Sequence, residues 1–394
     1  MKTVGIVTTW FNRGAAFVSK NFLEVLKGEF NVIVYARGGE KYEREDPNWN
    51  LSNVYWGKNL HVGVPNLIYW PDFKRWLEEK QPDVLLFNEQ QSWDVIIKVK
   101  NYAPDVLIGA YVDYYTRETV PYFNLYDFLV CNTKRHMSVF EKHPQSFYIP
   151  WGTDIDLYKP SQELQRNYVT FFHSCGMNPY RKGTDLLLSA FTKLGNKDAR
   201  LVIHSQVPLP KSMRSIINSE DRNITIIEKT IPPPGLYYLG DIYVYPSRLD
   251  GIGLTIAEAL ASGLPVLTTD NGPMNEFIRP GITGYLVQVE KYYQRSDGYY
   301  WEACDCSVDE LQNRMQAMLQ QREKIVEMKR NAREYAIEYL NWKKNANQLV
   351  DIVNNLKKIP VEEELLNSVA KYEYSSYSRI IFRSIKSRFA KQKF

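Results

Sequence analysis

Short apolar runs rich in β-branched and aromatic residues alternate along the chain with longer stretches whose apolar positions recur at helical spacing. Residues 3–10, 31–35, 83–87, 106–112, 128–131 and 147–149 read as strands. Each is nearly continuous apolar sequence, the mark of a strand covered on both faces. Helices are expected from the polar-glycine loop at 12–14 to about Leu26, and over 71–80, 93–102 and 133–142; residues 38–61 are polar and irregular. The pattern then restarts, with strands at 169–173, 201–204 and 223–227 and a helix over 183–194. Strands alternating with helices predict parallel sheets with helices on both faces and ligands held beyond the carboxyl ends of the strands. Two such halves, joined where Pro150, Gly152 and Pro160 cluster, make a cleft the default binding site.

The most informative stretch is DIYVYPSRLDGIGLTIAEALASGLPVLTTDNGP, residues 241–273. DIYVYP reads as a buried strand, Ser247–Gly253 as turn chemistry, Leu254–Ala261 as a helix ended by Gly263, and Pro265–Thr268 as a second strand. Asp250 then lies on the loop and Glu258 about one turn into the helix. The backbone N–H groups between them suit an anion, and the two carboxylates suit sugar hydroxyls. On spacing alone, a turn acid and a solvated helix acid fit equally.

Gly176-Met-Asn-Pro-Tyr-Arg-Lys-Gly183 is a glycine-bounded loop whose Arg181 and Lys182 could neutralise a diphosphate, or simply face solvent. The loop at Phe11–Ala15 has too few glycines for a dinucleotide fingerprint. Asp113, Asn88 and Glu89 end strands and could face a cleft, orient an acceptor, act as a base or cap a helix. Asp154-Ile-Asp156 spells an acid-x-acid pattern within linker sequence and reads as turn and cap chemistry. Residues 288–306 lack a clear period and read as a loop insertion; Ser307-Val-Asp-Glu310 is a capping box that opens a helix.

The length of 394 residues suits two domains, and 44% hydrophobic with 24% charged residues is ordinary for a globular protein. Net charge is +4, unevenly placed. Residues 379–394 hold Arg379, Arg383, Lys386, Arg388, Lys391 and Lys393 without an acid, so the rest of the chain sums to −2. That slight acidity argues against nucleic acid as a partner. Interleaved with Ile380, Ile381, Phe382, Ile385, Phe389 and Phe394, the tail reads as a helix on an anionic membrane surface, a packed terminal helix, or a disordered end. Cys131, Cys175, Cys304 and Cys306 offer no zinc pattern, and the five histidines have no metal spacing. The cysteines, with no apparent secretory signal or apolar run long enough to span a bilayer, fit a reducing cytoplasm.

Several motifs in order carry a resemblance: Ile149-Pro-Trp-Gly-Thr-Asp-Ile-Asp-Leu-Tyr-Lys-Pro160, Gly176 with Lys182-Gly183, Pro246-Ser247 with Asp250-Gly-Ile-Gly-Leu254 and Glu258-Ala-Leu-Ala-Ser-Gly-Leu-Pro-Val266, Gly281-Ile-Thr-Gly-Tyr-Leu286, and Trp342. The chain resembles the retaining glycosyltransferases of family four, over about 147–287 most closely. The resemblance implies the GT-B fold, an α/β architecture of two Rossmann-like domains facing a cleft. Residues 1–155 would bind the acceptor and 156–345 the nucleotide sugar, with 346–394 supplying helices that cross back to the first domain and the basic tail. It implies no metal and no cofactor, a UDP- or GDP-linked sugar as donor, and a glycan or lipid-linked acceptor. By position, Glu258 would bond the ribose and Asp250 the donor sugar. Lys182, with the N–H groups near Gly253 and Leu254, would meet the phosphates, and Gly14 and Gly176 would let backbone approach the donor. The chain departs from the family at Asp250, where Glu is usual, and at Met177, where Arg is frequent, leaving Arg181 as the second cation. Asp113 stands near a position where many members have His. An epimerase or phosphorylase of the same fold, and a non-catalytic nucleotide- or carbohydrate-binding protein, are the rival expectations.

Overall fold

The computed structural model describes residues 1–374 apart from 12, 39–41, 60–65, 162–166 and 218–222. The basic segment 379–394 and Asn12 of the first loop lie outside the described residues. The chain divides into two compact units.

The first comprises Met1–Ile149, Asp297–Tyr300 and the helices that follow Ala346. Its strands are β1 (Thr3–Thr8), β2 (Asn31–Ala36), β3 (Val54–Trp56), β4 (Val84–Asn88), β5 (Leu107–Tyr111), β6 (Phe128–Cys131) and β7 (Ser146–Tyr148). They form one parallel sheet in the order β3-β2-β1-β4-β5-β6-β7. Val4, Ile6, Val7, Leu85, Phe87, Ile108, Phe128 and Leu129 are buried, as strands covered on both faces require. Helix α1 (Gly14–Leu26) buries Ala15, Val18, Phe22 and Leu26, the spacing of one helical face. β3 falls in sequence expected to be irregular, because three residues are too few to show a period.

Asp297–Tyr300 is a short visitor to this unit. The Tyr300 N–H donates to the Tyr115 carbonyl at 2.9 Å, and the Tyr299 hydroxyl donates to the Asp113 carbonyl at 3.2 Å. The Tyr299 ring stacks on Tyr114 at 5.3 Å and 14°. Late in the chain, the Tyr374 hydroxyl donates to Asp94 at 2.5 Å.

The second unit comprises Pro150–Ser296 and Trp301–Asn345. Its sheet contains β8 (Val169–Gly176), β9 (Ala199–Ser205), β10 (Ile224–Glu228), β11 (Ile242–Tyr245), β12 (Val266–Thr269) and β13 (Gly284–Val287), all parallel, in the order β10-β9-β8-β11-β12-β13. Both sheets therefore reverse strand succession at one place, between β1 and β4 and between β8 and β11, which is where open α/β sheets leave a crevice for ligands. α2 (Thr184–Leu194) follows β8, and α3 (Leu254–Ala261) follows β11. α3 packs on α4 (Arg322–Tyr339) through the fully buried Ala257, Ala261, Ala332 and Ala336, small side chains that permit close approach. Trp151 lies on Trp342 with ring centroids 4.1 Å apart, and the Thr153 N–H donates to the Leu340 carbonyl at 2.8 Å.

One expectation is corrected. Residues 288–306 contain an antiparallel ladder of β14 (Val289–Tyr293) and β15 (Ala303–Cys306) rather than a loop alone. The first strand is largely exposed on both faces, so it carries no alternation of apolar and polar residues for sequence to register.

Candidate functional site

The loops that leave β8 and β11 meet at the reversal of the second sheet. Gly183 adopts φ +70° as the cap of α2, and a Cβ there would lie 1.9 Å from the Pro246 carbonyl oxygen. Glycine thus lets the start of α2 press against the end of β11. The Arg248 N–H and Ser247 hydroxyl both donate to the Arg181 carbonyl, at 2.8 and 3.2 Å. The two loops are consequently fixed to each other through backbone.

Lys182 and Asp250 form an ion pair here, with side chains 13% and 14% exposed. The Lys182 ammonium also donates to the Tyr245 hydroxyl, which donates to the same Asp250 oxygen, Oδ2. The other oxygen, Oδ1, accepts from the Ile252 and Gly253 N–H groups at 3.2 and 3.1 Å. Asp250 therefore ties the loop that starts α3, and the Gly253 N–H is engaged by it. Burial by itself would raise the Asp250 carboxyl; the Lys182 and Arg181 charges instead hold it well below the usual carboxylate range. Burial pulls the Lys182 ammonium downward, and the Asp250 charge opposes this.

Glu258 sits one helical turn past Leu254, half-buried on α3. The Tyr237 hydroxyl donates to it at 2.6 Å, and the Tyr158 hydroxyl donates to it as well. Burial outweighs both phenols and pushes its ionisation up to about 7. Gly253 caps α3 at φ +87°, while Gly176 closes β8 at φ +57°. Arg181 and Met177 are exposed, and the Arg181 N–H accepts its place in the turn by donating to Asn178 Oδ1 at 3.0 Å.

Two residues that sequence reasoning passed over hold this frame. Arg248 is buried and makes a bidentate pair with Asp185 at 2.7 Å, an ion pair with Asp305 at 2.6 Å, and a bond to the Tyr180 carbonyl at 2.5 Å. His173 joins three elements: one ring nitrogen lies 2.8 Å from the Val244 carbonyl and the other 2.9 Å from the Thr184 hydroxyl. Burial lowers it to about 4, so it is neutral at pH 7. A cavity of about 420 Å³ lies elsewhere, beside the residues that precede β11 and β12, and shares only Tyr237 with this site.

In the first unit, Glu89 and Asp113 follow β4 and β5. Glu89 holds φ +53° and pairs with Arg13 at 3.0 Å. Arg37 is buried and donates to the Asn88 and Glu89 carbonyls at 2.8 and 3.0 Å. Burial, then the Glu89 charge, pushes Asp113 up to about 8. Asn88 is buried and donates to Ala15 and Ser19 at 2.8 and 2.7 Å, a structural role. A Cβ at Gly14 would meet nothing within 4 Å, so that end of α1 is open. Asp154 Oδ1 accepts from the Asp156 and Leu157 N–H groups at 3.0 and 3.1 Å, the turn chemistry expected of it. Among the described residues no cluster of three His, Cys, Asp or Glu side chains is placed to hold a metal ion, and no helix is long and apolar enough to cross a membrane.

Residues 168–295, which contain this site, match the family described as glycosyl transferases group 1. The chain is 25% identical over 241 residues to a GDP-mannose-dependent alpha-(1-6)-phosphatidylinositol monomannoside mannosyltransferase of Mycobacterium tuberculosis, covering 56% of this chain and 58% of that protein. It is 28% identical over 216 residues to a D-inositol 3-phosphate glycosyltransferase of Gordonia bronchialis, covering 48% and 43%. The chain thus spans about half the length of these curated relatives. Among solved structures, a glycosyltransferase of Rickettsia africae superposes with a TM-score of 0.71 at 16% identity, covering 90% of this chain and 99% of that one. Anabaena Alr3699/HepE, in complex with UDP and glucose, superposes at 0.69 and 16% identity, covering 90% and 100%. With two parallel-sheet α/β units and a helical C-terminal region, the chain has the fold of the GT-B glycosyltransferases.

Proposed function

We propose that this chain is a retaining glycosyltransferase that moves a sugar from a nucleoside diphosphate to a glycan or lipid-linked acceptor without a metal. One observation carries the reading: Lys182 and Asp250 pair at the strand reversal of the second sheet, on loops locked together by Gly183 and Arg248, and Glu258 follows on α3, the helix that the Asp250 loop starts. Lys182 supplies charge for the diphosphate as the anomeric carbon–oxygen bond breaks, with Arg181 as the second cation. Asp250 holds hydroxyls of the transferred sugar, and Glu258 accepts from the ribose. Gly253 and Leu254 bring the start of α3 to the phosphates, and Gly14 and Gly176 leave room for the donor. The acceptor hydroxyl attacks from the face the diphosphate leaves, and the departing phosphate oxygen takes its proton. Asp113 and Glu89, in the first unit, are assigned to the acceptor. The relatives' names make GDP-mannose and UDP-glucose the first donors to try.

The test is a panel of UDP- and GDP-sugars measured for binding and for slow release of the sugar to water. Expected is one donor bound in the micromolar range, with Lys182→Ala and Glu258→Ala each losing most turnover. Near-normal turnover in both variants on the chosen donor overturns the site assignment.

A further inference from the structure

Asp250 is engaged on all sides before any ligand arrives. Its Oδ1 takes two loop N–H groups, and its Oδ2 takes the Lys182 ammonium and the Tyr245 phenol. These last two donors differ in freedom. Lys182 ends a flexible four-carbon stem, whose head can swing to a diphosphate. Tyr245 cannot follow. Its ring is fully buried on β11, stacked on Tyr243 at 5.6 Å and 20°, and its own carbonyl accepts from Thr268 at 2.7 Å. Burial and the Asp250 charge keep its phenol protonated, so it remains a donor. When Lys182 turns to phosphate, Tyr245 alone among the side chains bonded to Asp250 keeps its place.

We propose that Tyr245 is the positioning residue that sets donor-sugar selectivity, by holding the Asp250 carboxylate at a fixed depth one methylene short of where a glutamate would reach. This rests on the reading of the site as a nucleotide-sugar site. Asp250 then offers its remaining lone pair on Oδ2 to one sugar hydroxyl, at a point fixed by the β11 backbone. A site built to pair a buried polar group with a substrate hydroxyl discriminates strongly against a sugar that places the hydroxyl elsewhere. A glutamate in the same place would push into the phenol, so residue 245 and residue 250 form one unit.

The test is a double-mutant cycle of Tyr245→Phe, Asp250→Glu and the two together, with affinities measured for bare UDP and GDP and for a set of nucleotide sugars that includes epimeric pairs. Tyr245→Phe keeps the ring and the fold, which a thermal melt checks. It is expected to bind the bare diphosphate within about twofold of wild type, to lose about tenfold in affinity for the preferred nucleotide sugar, the worth of a bond to a charged group, and to discriminate less between epimers. Asp250→Glu is expected to lose at least as much, and the double variant to recover part of it. Equal losses for diphosphate and nucleotide sugar, unchanged epimer discrimination, or a double variant equal to the product of the singles overturns the inference while leaving the proposed function standing. Wild-type protein that binds neither diphosphates nor nucleotide sugars overturns both.

Discussion

Glu258→Gln removes a carboxyl group that burial holds near half-ionisation at neutral pH. Its ionisation moves from 4.5 to about 7 because burial exceeds the help of the Tyr237 and Tyr158 phenols. At about 1.4 kcal/mol per unit, the ionised form is at most about 3 kcal/mol less favourable in the folded chain; partial exposure reduces the usable figure to about 1–2 kcal/mol. The sign is set by proton balance. Below pH 4.5 the carboxyl is protonated in both states. From 4.5 to 7 the unfolded chain releases the proton and the folded chain keeps it, so stability falls as pH rises, and above 7 the contribution is flat. The Gln variant lacks this loss. In urea unfolding it should gain about 1–2 kcal/mol on wild type between pH 5 and pH 8. The same residue should make nucleotide-sugar affinity rise with pH, since the ionised fraction grows from about a tenth at pH 6 to about nine tenths at pH 8. A stability difference that is the same at both pH values, or that reverses, refutes the argument. So does a nucleotide-sugar affinity that rises equally in wild type and variant.

Arg248→Met leaves Asp185 and Asp305 without their cation and should cost about 3 kcal/mol in urea unfolding; Lys at the same place should restore little, because it cannot make the bidentate pair. Gly183→Ala sets a Cβ against the Pro246 carbonyl at a positive φ and should lower stability by about 2 kcal/mol or more, with weaker nucleotide binding as the two loops part. Glu89→Gln removes the second cause of the raised Asp113 ionisation, so any limb of the pH–rate profile owed to that pair should move to lower pH.

The fold was legible because both sheets are parallel and covered, which leaves near-continuous apolar runs in the sequence. Helix 254–261 was legible to the residue because Gly253 and Gly263 punctuate it. What sequence hid is what distance and direction decide. Arg248 drew no reading beyond the turn it stands in, since Asp185 and Asp305 stand 63 and 57 residues away. Tyr245 looked like one more apolar strand residue, because nothing in DIYVYP says where its hydroxyl points. Asp250 and Lys182 were visible as charges on loops, but their mutual pairing depends on a strand reversal that no local pattern encodes.

The first unit is not a continuous length of chain. It takes residues 1–149, then four residues near 300, then the segment beyond Ala346. As chains emerge from the ribosome in order, the partner carbonyls at Asp113 and Tyr115 leave it more than 180 residues before Tyr299 and Tyr300 do. Residues 150–345, which include the whole sheet of the second unit, are synthesised before the last segment of the first begins. A fragment cut after Ile149 is therefore not a smaller version of the first unit: it lacks the pieces that complete it, and the two units of this protein are better separated by substitution than by truncation.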